Sequence, residues 1–273
     1  MTTTLLADIV GEVDAFVAEV WARRPEVFRY EAGPRLLPEA AAWEMVECGL
    51  LVAPYFSMLR ETGGGATAQG ITMTREVLGR ALPAYADPAA VRAKYAAGRV
   101  ITLNQPEHWH VGIRGVLDAL RADLRGGANS VIFLSPPGAT ASSEHTAEQH
   151  VLHFQLDGES CWTLPPGPAI TLVPGDVLYL PGGQEHHSEA GPGGSFHLAV
   201  TIEQPTSREL ADLIVAEFLD SPGATEIAGN HHFLTLAEKT AWLRTELGKT
   251  LSDLDLAALV DQAVRNRQRG GHI

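Results

Sequence analysis

GDVLYLPGGQEHH, residues 175–187, decides the reading of this chain. Pro174-Gly175-Asp176 is a turn that opens into a strand, and DVLYL is the short apolar run of a buried strand. Pro181 and Gly183 punctuate its far end. A turn there swings His186 back toward the interior of the strands, where an imidazole can bind a metal. Several positions agree at fixed offsets, which gives the stretch more weight than a lone histidine carries.

Working upstream, EHTAEQHVLHFQLDG, residues 144–158, places His145, His150 and His153 within nine positions and ends on an Asp157-Gly158 turn. Strand alternation groups His145 and Ala147 with Val151, His153 and Gln155 on one side. Downstream, SFHLAVTI, residues 195–202, puts His197, Ala199 and Thr201 on one face. The plainer readings assign His150 and His187 to solvent, His108 and His110 to a pocket wall or exposed loop, and His231-His232 to a loop or helix start. Trp162 reads as core packing and Cys161 as an inert small hydrophobe.

The texture of the chain changes twice. From Ser130, six short strand candidates alternate with Pro/Gly-rich turns, the pattern of a β-sandwich or barrel with the jelly roll included. Before it, residues 5–24 have helical periodicity, VFRY and Val100–Leu103 suggest strands, residues 38–61 and 76–97 suggest helices, and His110–Leu124 reads as an amphipathic helix. After Pro205, Thr206-x-x-Glu209, Thr235-x-x-Glu238 and Ser252-x-x-Asp255 each signal a helix start. The expected fold class is mainly β with flanking helices, divided into residues 1–128 (helical or α+β), 129–204 (β core) and 205–273 (helical).

Composition restricts function. The chain has 273 residues, enough for a sizeable core, and its 45% hydrophobic content is that of a globular protein. The N-terminus lacks a basic leader and no long apolar run exists, so no signal peptide or membrane span is expected, and two distant cysteines fit a cytoplasmic setting. A net charge of −13 argues against nucleic acid and anionic membrane as partners. Residues 126–207 contain no Lys or Arg but hold six of the eleven histidines.

The Gly175, Pro181, Gly183, His186 spacing is that of the second cupin motif. Together with His145, Gln155, Gly158 and Trp162, SPPGA at 135–139 and SFHLAVTI, the chain resembles the JmjC-type cupins, and within them the ribosomal-oxygenase-like branch. WARRPEVFRY resembles that branch's Trp-x-x-x-Pro-x-x-x-Arg entry segment. The likeness covers most of the chain and is strongest over 131–202. It implies a double-stranded β-helix core, a C-terminal helical dimerisation region, Fe(II) and 2-oxoglutarate. Residue by residue it places His145 and His186 on the two metal histidines and His197 on a third histidine beside the metal. Val131, Phe133, Ser142, Ser160 and Thr201 fall on the cosubstrate side.

The departures are as informative. Ala147 stands where the metal-binding acid belongs, Val131 and Phe133 replace an Asn-x-Tyr pair, and Ser160 replaces a cation. An alanine cannot ligate, and a dicarboxylate in a barrel without cations lacks a charged partner. Four readings follow: a 2-oxoglutarate enzyme with an altered shell, such as a halogenase with a halide at Ala147; a three-histidine centre using His145, His186 and either His197 or His153; substitution of the acid by Glu148 or Glu144; or a decayed site with a binding role. The favoured expectation is a homodimeric, iron-dependent cupin oxygenase, with 2-oxoglutarate use weighed against by these departures. It would act on a small molecule or on a carrier- or peptide-borne residue.

Overall fold

The computed structural model describes residues 4–60, 65–146 and 149–270, with backbone alone at 142–146, 230 and 270. Two compact units emerge, Met1–Leu124 with Ala128–Ile202, and Arg125–Gly127 with Glu203–Ile273. In chain order, the first unit begins with α1 (Leu5–Val10), α2 (Val13–Ala15), a π-helical turn (Phe16–Val20), β1 (Glu26–Arg29) and α3 (Glu39–Glu47). It continues through β2 (Phe56–Leu59), β3 (Ala66–Thr67), β4 (Thr72–Val77), β5 (Arg80–Ala86), α4 (Pro88–Ala96), β6 (Ile101–Asn104) and α5 (Val111–Leu124). The strands β7 (Gly127–Ser135), β8 (Thr140–Thr146), β9 (His150–Thr163), β10 (Ile170–Leu172), β11 (Asp176–Leu180) and β12 (Glu185–Glu203) follow.

Two long strands, β9 and β12, each serve two layers. The strand path β1-β11-β9-β12-β7-β6-β2-β3 makes the larger layer, while β10 pairs with the second half of β9 and β8 with the first half of β12. The β9–β12 ladder shifts register between Ala190 and Ser195 and again between Phe196 and His197. Gly158 turns the corner at φ +61°, and a Cβ there would come within 2.3 Å of the Gly194 carbonyl oxygen, so no other residue fits without moving the backbone. This is the double-layered β-core that the turn spacing predicts.

The larger layer has two unlike faces. On the outer one Leu152, Phe154 and Leu156 of β9, Leu198, Val200 and Ile202 of β12, and Ile132 and Leu134 of β7 are buried in a single apolar cluster. Leu6, Ile9, Phe16, Trp43, Val46, Ile113, Leu117 and Leu120 from the helices complete it. On the inner face the alternate residues are His153, Gln155, His197 and Thr201, and a smaller apolar cluster joins Leu178 and Leu180 of β11 to Trp162, Leu164 and Leu172.

Some local expectations fail. The single helix over 5–24 is broken because Gly11, at φ +76°, ends α1. Residues 56–59, taken as helical, form β2 because they pair with β6, and the Ala-rich 80–86 forms β5 across a Leu78-Gly79 turn whose φ values are +50° and +74°. His150, expected in solvent, is half-buried because its face of β9 is covered by the entry segment: it stacks on Trp21 at 4.1 Å and bonds the Tyr179 hydroxyl at 2.9 Å.

The second unit is helical: α6 (Ser207–Leu219), α7 (Pro222–Asn230), α8 (Leu236–Asp253) and α9 (Leu256–Gly270). Thr206/Glu209 and Thr235/Glu238 form the expected reciprocal capping boxes. Ser252 does not open a helix, since α8 runs through it; Asp255 caps α9 instead, accepting from the Ala257 and Ala258 amides. Among the described residues no helix is long and apolar enough to cross a membrane.

Candidate metal centre

The site is built where the two layers share β9 and β12. The β8–β12 register sets the Cα of His145 directly opposite that of His186. His186 follows the Pro181–Gly183 turn and is 3% exposed. Its Nδ1 lies 2.9 Å from the carbonyl oxygen of Gln184. A carbonyl has no hydrogen, so Nδ1–H donates and the lone pair resides on Nε2, the tautomer that metal-binding histidines adopt when their other nitrogen is held by a carbonyl.

Two further histidines converge on the same interior. The His153 ring is 6.3 Å from His186 and 5.7 Å from His197. Trp162 packs among all three, with centroids 4.4 Å from His153, 5.9 Å from His186 and 6.0 Å from His197. His197 stacks nearly parallel on Phe133 at 4.7 Å and 10°. Complete burial pushes its pKa down from 6.5 to about 4, so the ring is neutral at physiological pH. Among the described residues no three His, Cys, Asp or Glu side chains are arranged to hold a metal by themselves. The side chains of Ser142, Glu144 and His145, and residues Ala147 and Glu148 entirely, lie outside the described residues.

The other expected residues are placed as follows. Val131 and Phe133 alternate with the buried Ile132 and Leu134 and so face inward, partly exposed. Thr201 lies two steps beyond Ala199 on the His197 face and is partly exposed. Ser160 is buried and fully engaged: its hydroxyl donates to Gln155 Oε1 at 2.7 Å and accepts from Trp162 Nε1 at 2.9 Å. Next to Phe133, the β6 residue Thr102 bonds Ser57 of β2 at 2.6 Å, and Asn104 donates to Ser57 at 3.2 Å, adding neutral polar groups to this face.

Sequence reasoning missed the role of Ser195 and Trp162. Gln155 Nε2 donates to Ser195 Oγ at 3.1 Å, and Ser195 Oγ lies 3.5 Å from His197 Nδ1. Alternation within a strand would group Gln155 with His153, and Ser195 with His197. That Ser160 and Trp162 join them depends on the Gly158 corner, which brings the second half of β9 around.

Comparison with known proteins gives the fold its place. A JmjC domain matches residues 166–210. The X-ray structure of Escherichia coli YcfD superimposes with a TM-score of 0.58 at 17% identity, covering 90% of this chain and 69% of that one. The fold is that of the JmjC-type cupins. Its likeness is to the ribosomal oxygenases: a YcfD structure in complex with cobalt and 2-oxoglutarate gives a TM-score of 0.57 at 17% identity, over 90% of this chain and 68% of that one. The bifunctional lysine-specific demethylase and histidyl-hydroxylase NO66 of Branchiostoma floridae is 30% identical over 138 residues, 49% of this chain and 23% of that protein. Human ribosomal oxygenase 1 is 29% identical over 165 residues, 50% of this chain and 25% of that protein. The chain therefore spans only about a quarter of the length of these two curated relatives.

Proposed function

We propose that this chain is an iron-dependent oxygenase of the JmjC-type cupins in which His145 and His186 hold Fe(II), with His197 beside it. The observation that carries the reading is the pairing of His145 with His186 across the β8–β12 ladder, with the His186 lone pair placed on Nε2 by the Gln184 carbonyl. The donors suit a borderline divalent metal, since imidazole nitrogens bind iron well and that of His186 is buried. When bound, Fe(II) supplies the activation of O2 for oxidation of an unactivated bond.

What remains is the work of the chain. The apolar cluster of Trp162, Leu164, Leu172, Leu178 and Leu180 excludes water from one side of the site. Val131, Phe133 and Thr201 border the cosubstrate, with Ser160 behind Gln155. The complex of the similar YcfD with 2-oxoglutarate supports that keto acid as cosubstrate. With no Lys or Arg from 126 to 207, its carboxylates would be met by neutral donors there, so binding weaker than that of a cation-clamped dicarboxylate is expected.

The substrate belongs to the class of peptide- or carrier-borne residues, with a free small molecule as the other form, and the site of action is cytoplasmic. Exposed apolar side chains on the helical unit, including Leu219, Phe233, Leu236, Leu251 and Leu256, support a homodimer through that region. Oxygen uptake by the iron-loaded protein, measured with and without 2-oxoglutarate, tests the activity. Uptake coupled to formation of succinate is the expected result, and iron-bound protein that neither binds nor consumes 2-oxoglutarate would defeat this assignment of the cosubstrate.

A further inference from the structure

Five buried side chains between the layers form a line of hydrogen bonds whose direction is fixed at one end. Trp162 Nε1 carries a hydrogen and no lone pair, so Ser160 Oγ at 2.9 Å accepts from it. The hydrogen of Ser160 then goes to Gln155 Oε1 at 2.7 Å. That orients the amide, and Gln155 Nε2 donates to the Asp157 carbonyl at 2.7 Å and to Ser195 Oγ at 3.1 Å. Ser195 Oγ is thereby an acceptor from Gln155, and the partner left for its own hydrogen among these side chains is His197 Nδ1, 3.5 Å away, where the line ends. All five residues are at most 6% exposed, so water does not compete and a hydroxyl hydrogen left unpaired would be costly.

The consequence is a tautomer. A neutral imidazole whose Nδ1 accepts carries its hydrogen on Nε2. His186 is prepared the opposite way, with Nδ1–H on the Gln184 carbonyl and the lone pair on Nε2. One histidine of the pair is set to give an electron pair, the other to give a hydrogen bond. An interior without Lys or Arg along residues 126–207 needs neutral donors if an anionic ligand is to enter it.

We propose that His197 is not a metal ligand but a neutral Nε2–H donor to a carboxylate oxygen of the ligand bound beside the metal, positioned by the Trp162–Ser160–Gln155–Ser195 line. The proposal deepens the iron-oxygenase reading and rests on it for the identity of the neighbouring site; the tautomer itself is independent of that reading. Nitrogen-15 NMR of the metal-free, histidine-labelled full chain reads the tautomer directly, with His197→Gln assigning the signal. The expected result is Nε2–H at His197, shifting to Nδ1–H in Gln155→Glu, whose carboxylate accepts from Ser195 and reverses the line. Nδ1–H in the unaltered chain overturns the proposal.

Binding separates donor from ligand. His197→Gln, with an amide N–H near the Nε2 position, and His197→Phe, with none, should both keep iron affinity within about tenfold of the unaltered chain. Only His197→Phe should weaken 2-oxoglutarate, by about tenfold or more. Loss of iron from both variants, with the fold intact by circular dichroism, would make His197 a ligand and sink the proposal. Failure of the unaltered chain to bind iron would defeat the iron-oxygenase reading instead, and the tautomer would then decide this one.

Discussion

The two faces of the larger β-layer are built from the same strands and follow opposite rules. On the outer face, Leu152, Phe154, Leu198 and Val200 are buried among helix side chains and need only shape and hydrophobicity. On the inner face, one residue along in each case, stand His153, Gln155, His197 and Ala199. Here buried polar side chains are linked by hydrogen bonds from Trp162 through Ser160 and Gln155 to Ser195. A period-2 strand thus carries a stability face and a chemistry face in alternate letters. The outer face tolerates exchange of one apolar group for another; the inner one depends on which atom donates.

This contrast can be broken most sharply on the outer side. Phe154→Ala removes a fully buried ring from the apolar cluster and should cost about 4 kcal/mol of unfolding free energy in a denaturant titration. A loss below that of an inner-face polar deletion would contradict the division. Next in size is a pH effect from the inner face. The unfolded chain protonates His197 near its ordinary 6.5 and the folded chain only near about 4, so stability is fully present above pH 6.5 and declines as pH falls toward 4. In the metal-free protein this histidine accounts for about 3 kcal/mol across that window, and His197→Gln should remove that share of the slope.

Two smaller effects sharpen the comparison. Ser160→Ala strands the Trp162 N–H and the Gln155 carbonyl in a buried site and should cost about 2 kcal/mol, although almost no volume is lost. Tyr179→Phe on the outer face removes a hydroxyl that accepts from the Ala22 amide and donates to His150 Nδ1. There the loss should be about 1 kcal/mol, since both partners border the half-exposed entry segment. Thermal or denaturant unfolding of the two variants side by side checks their order.

Much of the fold was legible because its signals are local. The turns at Gly158, Gly175 and Pro181–Gly183, the strands between them, and the capping boxes at Thr206 and Thr235 depend on neighbouring residues alone. The N-terminal strands were misread for the converse reason. Residues 80–86 are rich in alanine, yet pairing with β4 overrides helix propensity, and β2 exists only because β6 lies beside it. At the site, the second cupin motif pointed to His186, and the resemblance to the JmjC-type cupins added His145 and His197. The direction of the hydrogen-bond line did not follow from them, because Trp162 enters it around the Gly158 corner and Ser195 joins it across the β9–β12 ladder.

The central claim is that the two chemistry-bearing arms, β8 with His145 and β12 with His186, meet to hold one metal ion. Anaerobic Fe(II) titration of the full chain beside its His186→Ala variant tests it most directly. One iron per chain in the unaltered protein and none held by the variant is the result predicted here; equal uptake by both, or by neither, would contradict it.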